Sequence, residues 1–188
     1  GAELLVPLTK DHKQVREKLA KLRAGGGGDM PERVEKGIEV ALGKETGWTK
    51  DANRMMVVVG DAPPHHEAED ELLAMVKRAH DEPFAKGKKP AVTGGGTAKV
   101  ELRPFITSAI ATNQAAKASF DAIAKAGGGA SVLLDLGGPG GAKAAAKQRP
   151  APQLVAEHVL LLAFGQGHSA ELRVFVEAFF DFHNAGAF

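Results

Sequence analysis

The chain has 188 residues, 44% hydrophobic and 25% charged, which supports a packed core in one ordinary domain or one domain with a helical appendage. A net charge of +1 supplies no field that would draw nucleic acid or an anionic membrane, and the lack of cysteine excludes disulfides, thiolate metal sites and a cysteine nucleophile. No apolar run reaches the ~18 residues that span a bilayer, and the opening residues have neither the length nor the basic start of a secretory signal.

Residues 2–8, "AELLVPL", are short and apolar and read as a strand. Thr9 or Asp11 then caps a helix, because either side-chain oxygen can accept an orphan backbone N–H. Val15, Leu19 and Leu22 make one face of that helix, which ends at "AGGGG". In "DMPERVEKGIEVAL", Asp29 is an N-cap candidate, Glu32 completes a capping-box pattern and Pro31 falls in the first turn. Val34, Ile38 and Leu42 form its apolar stripe.

The run "MMVVV" at 55–59 shows no alternation, the pattern of a strand buried on both faces of a parallel sheet. "EAEDELLAMVKRAH" follows as a helix with acids at its positive end and bases at its negative end. Pro104 removes a ladder donor, so in "KVELRPFITSAIA" the core strand is "FITSAIA". Ala116, Phe120 and Ile123 mark another helix, stopped by glycines 127–129, and 130–136, "ASVLLDL", reads as a last strand.

This alternation predicts an α/β fold with a largely parallel sheet. Residues 85–99 are a basic insertion, and 137–152, "GGPGGAKAAAKQRPAP", read as a linker. Two helices are expected beyond it, at 153–164 and about 169–183. Leu172, Phe175, Val176 and Phe179 give the second a broad apolar face that must be buried. The expected organisation is an α/β domain over 1–136, the linker, and a helical extension over 153–188.

Ligands of open α/β sheets bind beyond the carboxyl ends of strands. "RMMVVVGDAPPHHE" delivers Asp61 to such an end: Gly60 lets the chain turn, and Pro63 and Pro64 stop it from continuing as strand or helix. Asp29, at a glycine-rich approach to a helix, is expected on the same edge, and two converging carboxylates suit Mg²⁺ or Ca²⁺. Plainer roles stand beside these. Asp29 serves equally as a helix cap, Asp61 as a turn former, and the acids of "HHEAEDE" as partners for a helix N-terminus rather than members of a metal cluster. His158 lies on an apolar helix face, where a satisfied core histidine is commoner than a ligand. No phosphate-loop pattern and no G-x-S-x-G elbow occurs.

"LRAGGGGDMPERVEKGIEVAL" followed by "RMMVVVGDAPPHHE" resembles the bacterial type of von Willebrand factor A domain. "VPLTKDHKQVREKLAKL" and "ITSAIATNQAAKASFDAIAKAGGGASVLL" look like its flanking elements, so the resemblance covers roughly residues 3–136. It implies a Rossmann-like three-layer fold, a sheet with helices on both faces, here followed by the C-terminal helical pair. It also implies a metal-ion-dependent adhesion site built from three loops. Asp29 matches the second loop and Asp61 the third, while no Asp-x-Ser-x-Ser first loop is present. The chain is therefore expected to begin at the family's third strand and to lack its first two.

The expected function is that of a protein-binding module and not an enzyme. It would recognise a protein partner through a divalent cation, Mg²⁺ or another, held weakly by Asp29 and Asp61. Nucleic acid, a membrane span and a small-molecule substrate are not expected. The alternative is a metal-dependent hydrolase with Asp29 and Asp61 as ligands and His65 or His66 as acid/base.

Overall fold

Three segments rich in small and β-branched apolar residues pair side by side. In the computed structural model, which describes residues 1–22, 30–49, 52–81, 104–134, 151–165, 167 and 169–184, they are β1 (Arg54–Gly60), β2 (Phe105–Ala111) and β3 (Gly128–Leu133). The order is β1-β2-β3 and both pairings are parallel. The helices are α1 (His12–Ala20), α2 (Val34–Leu42), α3 (His66–Asp81), α4 (Lys117–Ala126), α5 (Ala151–Phe164) and α6 (Ser169–Asn184). The described chain is thus a mixed α/β structure with a three-stranded parallel sheet and six α-helices, compatible with a Rossmann-like fold. No helix among the described residues is long and apolar enough to cross a membrane.

The core lies where α2, α3 and α4 meet the sheet. Leu72 and Val76 of α3 and Phe120 and Ile123 of α4 are buried with Phe105, Ala109 and Ala111 of β2. From α2, Ile38 is buried, with Val34 and Leu42 packed against the same cluster, as the apolar stripe predicts. Trp48 closes the amino end of the sheet, edge-on to Phe105 at 4.7 Å, and its Nε1–H donates to the Ala41 carbonyl at 2.6 Å.

Gly37, inside α2, has nothing within 4 Å of the position a methyl group would take. Gly37→Ala should therefore stabilise the fold by about 0.5–1 kcal/mol, through the entropy that glycine adds to the unfolded chain. Urea unfolding reads this directly, and a loss of stability would contradict it.

On α4, Asp121 accepts from Lys117 Nζ and from Ser131 Oγ of β3, each at 2.5 Å. The lysine first and the serine second hold its carboxyl below its ordinary value of 3.8. Because the folded value is the lower one, this stabilisation is complete above the ordinary value and is lost as pH falls through the folded value. The carboxylate is 43% exposed, so the contribution is under about 1 kcal/mol. Asp121→Asn should lower stability at neutral pH by up to that amount and flatten the acid limb below about pH 4, where the stabilities of variant and parent converge.

Several expectations change. Residues 2–8 form no strand: Leu8 N–H donates to the Thr46 carbonyl at 2.8 Å, Pro7 has no N–H to offer, and no ladder follows. Asp11 does cap α1, accepting from Gln14 N–H at 3.0 Å, but α1 buries no residue, and Leu19 and Leu22 are exposed. The N-cap of α2 is Arg33, with no side-chain bond, so Pro31 precedes its first turn, and Asp29, the cap candidate, lies outside the described residues. Glu32 does not close a capping box, because its N–H is bonded to the Pro63 carbonyl.

The non-alternating run in β1 predicts a strand covered on both faces, yet β1 is an edge strand among the described residues, with only Met56 buried. The last strand starts at Gly128, two residues before the expected position. In α6, Val176 is buried and Leu172 half-buried, but Phe175 is exposed, and the Phe179 side chain lies outside the described residues. The α5–α6 pair packs together, and α5 also packs against β3. Its interior holds a charge: the Glu157 side chain is 3% exposed and accepts from Arg173 Nε at 3.3 Å. His158 is half-buried on α5, with Nδ1 2.7 Å from the Leu154 carbonyl oxygen. The basic insertion lies outside the described residues, as does the linker apart from Ala151 and Pro152, which belong to α5.

Candidate functional site

The carboxyl end of β1 is fixed from both sides. The Gly60 carbonyl accepts from Thr112 N–H at 2.8 Å and from Thr112 Oγ1 at 3.2 Å, which ties the ends of β1 and β2 together. Gly60 is required there: a methyl group on it would lie 2.9 Å from the tip of the Phe120 ring. Beyond it, Ala62 and Pro64 turn inward and are buried, and Asp61 is left exposed at the head of the turn.

The approach to α2 is bonded to the same turn. Glu32 N–H donates to the Pro63 carbonyl at 2.9 Å, and Glu32 and Pro64 form an isolated parallel bridge. Proline has no N–H and cannot extend a ladder, but its carbonyl still accepts, and this single bond joins the two stretches that carry the sequence signatures. The Met30–Pro31 peptide beside it is cis.

Asp61 opens on a cleft of about 790 Å³ that follows β1 and passes beneath α2. Glu32, Arg33 and His65 line its polar end with Asp61, and Ile38, Met56 and Phe120 line its apolar part. Asp29, the second candidate ligand, lies outside the described residues.

His65 and His66 part company. His65 lines the cleft, with Nδ1 3.7 Å from Glu67 Oε1. His66 opens α3, its side chain is fully exposed, and its Nδ1 lies 3.8 Å from Glu69 Oε2. The acids of "HHEAEDE" include Glu67 and Glu69 in the first turn of α3, where negative charge favours the helix dipole. Among the described residues no group of three or more His, Asp or Glu side chains is placed to hold a metal ion. One strand-end carboxylate, with Glu32 and His65 on the same cleft, does not fill the shell of a hard cation, which takes six or more oxygens.

Sequence reasoning passes over Glu32 as a fastener and Phe120 as the floor beneath Gly60. A signal for Glu32 exists in the paired prolines, which leave an accepting carbonyl with no ladder to join. Phe120 is legible only as a helix-face residue, because its partner is 60 residues distant and is a glycine. No family model matches the chain, and no curated protein or solved structure does so either.

Proposed function

We propose that the chain is a protein-binding module of the von Willebrand A type, which meets its partner at the carboxyl edge of the sheet around Asp61. The observation that carries this reading is the bond between Glu32 and Pro63: it joins the approach to α2 to the turn that presents Asp61, and both face one open cleft. In this reading Asp61 offers one oxygen to a divalent cation, and a partner carboxylate would complete the shell. Asp29 is proposed as a further donor. The described residues alone leave most positions to water, so the cation is held weakly. No chemical step belongs to this function.

The expected result is that the 188-residue chain binds Mg²⁺ only in about the millimolar range, the low-affinity end for oxygen-ligand sites. An NMR titration with MgCl₂ should move the backbone resonances of Gly60, Asp61 and Ala62, and Asp61→Ala should abolish the shifts. A titration that leaves these resonances in place removes the cation from the reading. Tight, stoichiometric binding would mean that other side chains supply the missing ligands.

A further inference from the structure

We propose that Thr112 is the positioning residue of the Asp61 site: its hydroxyl fixes the plane of the Gly60–Asp61 peptide and so the direction in which the carboxylate is offered. The inference deepens the cation reading of Asp61 and rests on it. The contact it uses lies between β1 and β2, inside the sheet.

The first observation is a carbonyl bonded twice by one residue. The register pairs Gly60 with Ala111, so Thr112 is the first residue beyond the paired strands. Its N–H donates to the Gly60 carbonyl at 2.8 Å, a bond that continues the parallel ladder. Its Oγ1 donates to the same oxygen at 3.2 Å, and no ladder requires that second bond. A carbonyl oxygen has two lone pairs, and one neighbour fills both.

The second observation is what that carbonyl controls. The Gly60 C=O and the Asp61 N–H belong to one rigid peptide plane. Gly60 has no Cβ, so its own torsions do little to hold the plane. On the other side of Asp61, Ala62 is buried and the Pro63 carbonyl is bonded to Glu32. The turn is thus secured at both ends, and the second bond falls at the end where the backbone is freest.

The third observation is that the donor is itself fixed. The Ala111 carbonyl accepts from Leu134 N–H at 2.8 Å, and Asn113 Oδ1 accepts from Ala115 N–H at 2.9 Å, at the start of the 3₁₀ turn that leads into α4. Thr112 sits half-buried between these two anchors. A role in stability alone would make its hydroxyl redundant. Without it the Gly60 carbonyl keeps the N–H bond, and no buried acceptor is left unpaired.

Thr112→Val keeps the N–H and the branched shape and removes the hydroxyl, and Thr112→Ser retains the hydroxyl. Backbone NMR of the 188-residue chain without cation reads the turn directly. Thr112→Val should shift the Gly60 carbonyl-carbon resonance and bring exchange broadening to Asp61 and Ala62, with the urea midpoint nearly unchanged. Thr112→Ser should return these signals to the parent's. In MgCl₂ titrations Thr112→Val should weaken binding about fivefold, within the range of one neutral hydrogen bond, and Thr112→Ser should recover it. Asp61 signals that are the same in the parent and in Thr112→Val overturn the proposal. So does a Thr112→Ser chain that behaves as Thr112→Val does, which would assign the effect to packing and not to the hydroxyl. A parent chain whose Gly60, Asp61 and Ala62 resonances ignore MgCl₂ removes the cation reading alone, and the cation-free spectra still decide whether Thr112 sets the turn.

Discussion

Replacing Gly129 with alanine is expected to cost about 3 kcal/mol of folding stability or more, as overpacking of a rigid site does. A methyl group on Gly129 would overlap the Thr107 carbonyl oxygen and the Ser108 hydroxyl. The first is main chain of the central strand and cannot turn aside. The register shows why the strands approach so closely. Thr107 pairs with Gly128 and Ala109 with Ser131, so β3 carries one residue more than β2 between those points. That bulge releases the Ala130 N–H from the ladder, and Ser108 Oγ accepts it at 3.3 Å. Gly128 beside it has φ +66°, and a methyl group there would strike the His80 ring. Urea unfolding of Gly129→Ala against Gly37→Ala separates the two meanings of glycine in one molecule, a loss at the bulge and a gain in α2. A loss below about 1 kcal/mol at Gly129 would show that the bulge relaxes, and the packing account of β3 would be wrong.

Local signals were the legible ones. Asp11 caps α1 because its carboxylate can reach Gln14 N–H from within the same turn, and nothing distant competes. Pro104 marks the start of β2 because a missing donor is a property of one residue. The stripe of Val34, Ile38 and Leu42 holds because helical spacing presents one face whatever lies opposite. Asp61 was legible as a strand-end acid for the same reason: Gly60, Pro63 and Pro64 fix the turn locally.

Where the reading failed, a distant partner decided. Glu32 satisfies the local pattern of a capping box, but the Pro63 carbonyl takes its N–H and moves the start of α2 to Val34. The segment 2–8 has the composition of a strand, and composition supplies no neighbour to pair with. Gly128 and Gly129 read as a helix stop, yet they open β3, because close approach to Thr107 needs residues without a Cβ. Motif order predicts that Asp29 and Asp61 share the carboxyl edge, and Asp29 lies outside the described residues. Neither the bond from Glu32 to the Asp61 turn nor the cleft was legible, since both depend on how α2 stands against the edge of β1.

Phe120→Ala should cost about 3–5 kcal/mol, the range for truncating a buried aromatic ring. Phe120 is 1% exposed, sits in the cluster with Leu72, Val76 and Ile123, and abuts the backbone at Gly60. Two consequences separate this residue from an ordinary core phenylalanine. Its ring also lines the cleft, so the space left by truncation joins an existing opening and offers little prospect of collapse. And because Gly60 leaves only main chain above the ring, no neighbouring side chain at that position can lean in to fill the gap. Phe120→Leu keeps most of the volume and should cost under about 1.5 kcal/mol. Paired urea titrations with unchanged m-values measure both losses. If Phe120→Ala costs less than Phe120→Leu, or if both fall below about 1 kcal/mol, the ring does not support β1, and the rigid presentation of Asp61 above it loses its physical basis.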